Sequence, residues 1–172
     1  IQLPNDHGAD TSTVDGFPFR HSFMEDNDLA LGRMLQFLSH TPYWKNMLVI
    51  VTEDDPQGGS DHVDAHRSVL MMAGPYVKKE YVSHTHANFG SILRVIYGLL
   101  GIPPVNHYDQ TASVLDDFFT EKPDFRPYQL VVPDKRVFDP DKTLLKYNKS
   151  IDWRKIKKTI EMDDVEEVKK NL

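Results

Sequence analysis

Two short apolar runs constrain the fold of this chain more than any other feature of its sequence. Met47–Thr52 is an uninterrupted run rich in β-branched residues, and Ser68–Ala73 is a second run of the same kind. Runs without apolar/polar alternation are typical of strands buried on both faces, as in parallel sheets covered by helices. With Ile1–Leu3 as the end of an earlier strand, the order strand, helix, strand, strand, helix predicts a layered α/β sandwich.

Two helices are predicted from apolar residues that recur on one helical face. The first covers Leu29–Leu38, after N-cap candidates at Asp26–Asp28, and the second covers Asn88–Leu100 and ends at Gly101. A short helix is predicted over Val114–Phe119.

The chain divides, on its sequence, into residues 1–120 and a C-terminal extension at 121–172. The extension is interrupted by prolines up to Ser150 and contains one possible strand at Tyr128–Val132. The last stretch, Ile151–Leu172, has many charges and few apolar residues, which predicts a solvated helix.

The composition excludes several classes of function. The 172 residues include 20 Lys and Arg against 26 Asp and Glu, a net charge of −6, so nucleic acid is not expected as the main partner. The absence of cysteine excludes disulfides and thiol nucleophiles. No apolar run approaches the roughly 20 residues of a transmembrane helix.

Three adjacent carboxylates follow the first apolar run, at Glu53, Asp54 and Asp55. Like charges this close raise one another's pKa, and burial adds a desolvation cost that a divalent cation would reverse. A solvated acidic turn is the alternative, but the apolar strand directly before the triplet favours a binding site.

A second cluster, Asp61–Arg67, precedes the other apolar run and contains histidines at 62 and 66. Neutral imidazole and carboxylate are both ligands of Zn²⁺ and Mn²⁺. Two surface histidines near carboxylates are an equally open interpretation. Arg67 has the donors to clamp an anionic oxygen, or it forms a salt bridge within the cluster.

Three further clusters contain histidine. Asn5–Asp10 follows the first strand end and is either part of the same site or an Asx turn. Ser83–Asn88 and Asn106–Asp109 are better explained as helix caps. Carboxylates and imidazoles without thiolates, arranged around two strands, fit a hydrolytic centre with one or two Zn²⁺ or Mn²⁺ ions.

The motifs together resemble the alkaline phosphatase superfamily, and most closely its phosphoesterase branch, which includes bacterial phospholipase C and acid phosphatase. The resemblance extends to about Phe119 and rests on five segments: Leu3–His7, Trp44–Asp55, Gly59–Ser68, Asn88–Pro104 and Tyr108–Asp109. It implies the layered α/β/α sandwich of that superfamily, a phosphate-ester substrate and an exported, periplasmic or extracellular location.

The resemblance also implies roles for individual residues. Asp54 and Asp55 would bind one metal, although His is more usual at the second position, and His66 would bind another. Asp6 and His7 lie where the ligands of that second metal are expected, but the usual Asp-x-x-x-His spacing is absent. The candidate catalytic residues are His7, which would contact phosphate, and His62 and Arg67.

The superfamily's Ser or Thr nucleophile lies upstream of all these motifs, so we expect an upstream part of the same polypeptide to supply it. The chain alone is then expected to have little or no turnover. A non-catalytic binding or structural domain that kept the fold and lost the metal centre is the main alternative. A sulfatase- or phosphotransferase-like activity is a weaker one, since the fold does not choose the substrate.

Overall fold

The structure is a computed structural model that describes residues 1–3, 16–54 and 68–147. The chain divides into two compact units. Residues 37–128 form one unit, and residues 1–36 together with 129–172 form the other. The predicted boundary at residue 120 stays a prediction.

The unit at 37–128 contains a two-stranded sheet made by the two apolar runs. Strand β1 (Val49–Thr52) pairs antiparallel with β2 (Leu70–Ala73), and the paired residues run from Val49 opposite Ala73 to Thr52 opposite Leu70. Both predicted strands are confirmed. The expectation of parallel strands buried on both faces is wrong for this pair, because the strands are only partly buried and Met71 is 48% exposed.

Helix α2 (Phe89–Leu100) confirms the second predicted helix, including both of its ends. Asn88 accepts a hydrogen bond from the Ser91 amide, and the Ser91 hydroxyl accepts one from the Asn88 amide, which completes a capping box. Gly101 ends the helix with a φ of 68°, a left-handed conformation that glycine adopts without strain.

Helix α3 (His107–Thr111) is a short helix where the sequence predicts a helix cap at Asn106–Asp109. The Asn106 side chain accepts hydrogen bonds from the amides of Tyr108 and Asp109. The buried Asp109 carboxylate accepts one bond from the Val105 amide and one from the Asn106 amide, both at 2.8 Å. The carboxylate thus joins the α2–α3 loop to the first turn of α3.

These bonds make the stability of the unit depend on pH. The hydrogen bond from the Val105 amide is the main reason that the pKa of Asp109 lies below its usual value. A lowered folded-state pKa gives stability that is complete above the unfolded pKa of about 4 and is lost as the pH falls through the folded value. We expect Asp109→Asn to lower the melting temperature most above about pH 5, and the gap to wild type to narrow below about pH 4.

Thermal melts followed by circular dichroism between about pH 3 and 7 test this. Asp116→Asn makes the same chemical change at an exposed position of the same unit and serves as the matched control. A difference in melting temperature between Asp109→Asn and wild type that stays constant over the whole pH range would contradict the expectation.

Beyond β2 the chain runs alongside a later segment of the same unit. Val77 forms an antiparallel bridge with Phe119, and the Lys78 amide donates to the Phe118 carbonyl at 2.9 Å. The 3₁₀ turn Asp116–Phe118 replaces the helix predicted over 114–119.

The other unit is built on helix α1 (Ser22–Ser39), of which residues 22–36 belong to it. Its core contains Phe17, Leu29 and Phe138, and the rings of Phe17 and Phe138 lie 4.9 Å apart. Helix α1 begins well before the predicted Leu29. Ser22 is fully buried at its start, and its hydroxyl accepts a hydrogen bond from the Phe19 amide.

Gly16 directly precedes the core residue Phe17, and its backbone lies against that of Asp139. Its φ is 89°, and a Cβ at this position would lie 2.9 Å from the Asp139 carbonyl oxygen and still closer to the Thr143 hydroxyl. The Gly16 carbonyl accepts a hydrogen bond from the Asp139 amide at 3.0 Å, just before helix α4 (Pro140–Tyr147). Only glycine combines this backbone angle with so close an approach.

Two strand predictions are wrong. Ile1–Leu3 is not in a strand, and neither is Tyr128–Val132, where Val131 and Val132 are both more than 70% exposed. Prolines at 127 and 133 flank this segment, and a proline has no amide proton for a strand ladder. The helix predicted at 151–172 lies outside the described residues.

The mixed α/β class is confirmed by helices together with an antiparallel strand pair. In the parts of the chain that the structure describes, no helix has the length and apolar character that crossing a membrane requires.

Candidate functional site

Asp54 is the one predicted site residue that falls within the described ranges. It follows β1, and it is exposed. The others lie outside those ranges: Asp6, His7, Asp55, His62, His66 and Arg67.

The geometry around Asp54 is set by the end of the sheet. Thr52 and Leu70 are the last residue pair of the β1–β2 ladder. Beyond this pair the Ser68 hydroxyl donates a hydrogen bond to the Glu53 carbonyl at 2.7 Å. The two residues that bracket the segment 54–67 are therefore held against each other.

This contact joins the two residues that flank the sequence segment containing Asp54, Asp55 and His66. Asp54 directly follows Glu53, and His66 precedes Ser68 by two residues. In the sequence, these two candidate ligands therefore lie just inside the pair of residues that the bond from Ser68 to Glu53 joins.

The donor set can be compared with what a metal ion requires. Within 1–3, 16–54 and 68–147, no group of three or more His, Asp or Glu side chains is placed to hold a metal. A centre at this end of the sheet therefore needs donors from the segment that Glu53 and Ser68 bracket. That segment supplies carboxylates and imidazoles and no thiolate, a set suited to Zn²⁺ or Mn²⁺.

The loop that contains His84 and His86 is held by hydrogen bonds to the Asp117 carboxylate, which the sequence did not predict. Asp117 accepts hydrogen bonds on one oxygen from the Ser83 hydroxyl at 2.6 Å and from the Tyr81 hydroxyl at 2.9 Å. The Ser83 bond is the main reason that the pKa of Asp117 is lowered. Asn88 caps α2, as predicted, while His84 and His86 are exposed. The network therefore fixes the loop before α2.

A lysine-lined groove of about 320 Å³ is a second feature that sequence patterns did not reveal. Lys78, Lys79 and Lys122 line it together with Asp124. Asp124 pairs with Lys79 at 2.5 Å and with Arg126 at 2.6 Å, and these bonds, that to Arg126 first, hold the pKa of Asp124 well below its usual range. Asp124 and Glu80, which also line the groove, offset part of the positive charge of the three lysines.

Two comparisons with known proteins found no relative of this chain. A scan against protein-family models finds no matching family, and a search of curated proteins finds no similar protein. The resemblance to the alkaline phosphatase superfamily therefore stays a prediction from the motifs.

Proposed function

We propose that this chain forms the metal-binding part of a phosphate-ester hydrolase related to the phosphoesterase branch of the alkaline phosphatase superfamily. The observation that carries the proposal is the closed base of the segment 54–67. Antiparallel pairing of β1 with β2 and the bond from Ser68 to Glu53 hold the two ends of this segment together. Three of the five candidate metal ligands, Asp54, Asp55 and His66, are in this segment, together with His62 and Arg67.

Residue types and order support a metal-dependent reaction over a generic polar loop. Asp54 and Asp55 supply anionic oxygens at one end of the segment, and His66 supplies an imidazole at the other. A divalent cation bound by them would polarise the phosphoryl oxygens and offset their charge. The fork of donors on Arg67 suits a non-bridging phosphate oxygen.

The remaining candidates have roles in binding and orientation. Through the same family resemblance, Asp6 would be a metal ligand and His7 would contact the phosphate. His62 lies between the acidic and the basic ends of the segment. The proposed nucleophile is a Ser or Thr hydroxyl outside this sequence, activated in the assembled site and phosphorylated transiently during turnover.

Exposed apolar side chains support the layered sandwich as the complete fold. Met71 on β2 is 48% exposed, and Leu99 and Leu100 at the end of α2 are 62% and 66% exposed. A helix that is apolar nearly all round is normally covered on most sides in a large core. A wider sheet with helices on both faces would cover these residues.

The test measures phosphatase activity in the natural polypeptide that carries this chain. We expect release of p-nitrophenol from p-nitrophenyl phosphate or its bis-ester when Zn²⁺ or Mn²⁺ is added, and loss of this activity with a chelator. Calorimetric titration with the same ions should show a stoichiometric site. A protein that binds neither ion stoichiometrically and hydrolyses neither ester would instead support the non-catalytic binding domain.

A further inference from the structure

The lysine-lined groove lies between two stretches of backbone that hydrogen bonds hold together. The Thr120 amide donates to the Tyr76 carbonyl at 2.9 Å. The Asp124 amide donates to the Pro75 carbonyl at the same distance. Both stretches contribute lining residues, and the volume of about 320 Å³ lies at the lower end of the range for small-molecule sites. The groove therefore has formed walls and room for a small ligand.

Tyr81 is one of the lining residues, and three contacts keep its ring in place. Its hydroxyl donates to Asp117 at 2.9 Å, and its ring meets that of Phe118 edge to face, with 6.4 Å between the centroids. The Lys78 ammonium group lies 4.7 Å from the Tyr81 centroid, within cation–π range. These positions are set before any ligand binds, which lowers the entropy cost of binding.

Glu80, also in the lining, has an uncommon backbone conformation. Its φ is 51°, and within the described parts of the chain no other residue except glycine has a positive φ. Residues in such conformations are found preferentially at active sites and ligand clamps. The bonds of the Lys78 amide and the Tyr81 hydroxyl, on either side of Glu80, hold the chain in this conformation.

The charges around the groove leave a positive excess. Three lysines line it against two carboxylates, Glu80 and Asp124. Asp124 is shared between Lys79 and Arg126, so these three residues together keep one positive charge. No ion pair joins Lys122 to a carboxylate of the described residues. The whole chain has a net charge of −6, so a positive cleft is a local departure that attracts anions.

We propose that this groove binds a small dianion, the head group of a phosphate monoester or of a dicarboxylic acid, with Lys122 as its main anchor. The Lys122 ammonium group has three donors for anionic oxygens, and hydrogen bonds between charged groups are the stronger kind. Lys79 stays paired with Asp124 and contributes through its charge. Glu80 repels the anion and limits its affinity. The inference does not depend on the proposed function, which makes no use of the groove.

The experiment titrates the natural polypeptide by calorimetry with glycerol phosphate and, separately, with succinate. A chelator is present throughout, so a metal centre contributes no bound cation to the measurement. We expect one stoichiometric site for at least one of the two probes, and weaker binding as the salt concentration rises. The probe that binds identifies the head group. A protein that binds neither probe would overturn the proposal.

Two variants should change the affinity in opposite directions. Lys122→Gln is expected to weaken binding about 10-fold, because it removes a hydrogen bond between charged groups. Glu80→Gln is expected to strengthen binding about 3-fold, because it removes a negative charge from the lining. Lys122 is exposed, so its replacement opens no cavity in a core. Circular dichroism checks that every variant is folded, and damage to the fold would not strengthen binding.

Lys45→Gln is the matched control, since it removes the same charge from an exposed position of the same unit outside the lining. It should bind the probe as the wild type does. Equal weakening in Lys45→Gln and Lys122→Gln, or unchanged binding in Lys122→Gln, would overturn the site. A protein that hydrolyses phosphate esters with Zn²⁺ but binds neither probe in the presence of the chelator would keep the proposed function and lose this one.

Discussion

Simultaneous replacement of Asp54 and His66 by alanine is expected to lower phosphate-ester hydrolysis by the natural polypeptide about 10³-fold. Replacing a residue that only orients a metal ligand typically lowers metal affinity or activity about 10–100-fold. The double replacement removes two proposed ligands outright, so a larger loss is expected. The two residues lie at opposite ends of the segment whose base is closed by Ser68 and Glu53. Their loss should therefore remove one carboxylate and one imidazole from the proposed set of ligands.

Two measurements check this result together. Hydrolysis of p-nitrophenyl phosphate should fall, and calorimetric titration with Zn²⁺ should no longer show the stoichiometric site. The matched control is Asp116→Ala with His86→Ala, which removes the same two residue types at exposed positions of the same unit. Hydrolysis by the Asp54, His66 double variant at the rate of this control would refute the assignment.

Elements with strong local signals could be predicted from the sequence. Helix α2 has an apolar face, a capping asparagine and a terminal glycine, and both of its ends agree with the structure. The two strands were also predictable as short apolar runs bounded by polar residues. Each of these signals lies within about fifteen consecutive residues, so no knowledge of distant contacts was needed.

The direction of strand pairing could not be predicted in the same way. An apolar run shows that a strand is covered, but it contains no information about the direction of its neighbour. The antiparallel pairing changes the interpretation of the site, because it places the residue after β1 near the two residues that precede β2. The bond from Ser68 to Glu53 follows from this pairing and not from any local motif.

For the candidate site, too, the residue types could be predicted from the sequence, whereas the long-range contact could not. Residue types at 54, 55, 62, 66 and 67 fit a metal centre, but the same pattern also fits surface histidines beside carboxylates. The hydroxyl that ties the base of the segment was missed. A serine two residues before a strand is a weak signal, because serine is common in the polar segments that bound strands.

The core of the unit formed by residues 1–36 and 129–172 is the clearest case in which local sequence patterns do not reveal a buried residue. Phe138 follows Val137 in a segment of charged residues and prolines, with no periodic pattern of apolar residues to mark it. It is nevertheless 1% exposed and packs with Phe17 and Leu29. Long-range packing of an isolated aromatic residue leaves no pattern that periodicity can detect.

Phe138→Ala is accordingly expected to lower the free energy of unfolding of this unit by about 3–5 kcal/mol, since it leaves a cavity beside the Phe17 ring. Urea unfolding followed by far-ultraviolet circular dichroism measures the change. Phe19→Ala is the matched control, because Phe19 is 47% exposed in the same unit and its removal should cost only about 1 kcal/mol. Equal losses in the two variants would mean that Phe138 is not the centre of this core. A larger loss of unfolding free energy in Phe138→Ala than in Phe19→Ala would show that an aromatic side chain of the proline-rich extension stabilises the unit that contains the start of helix α1.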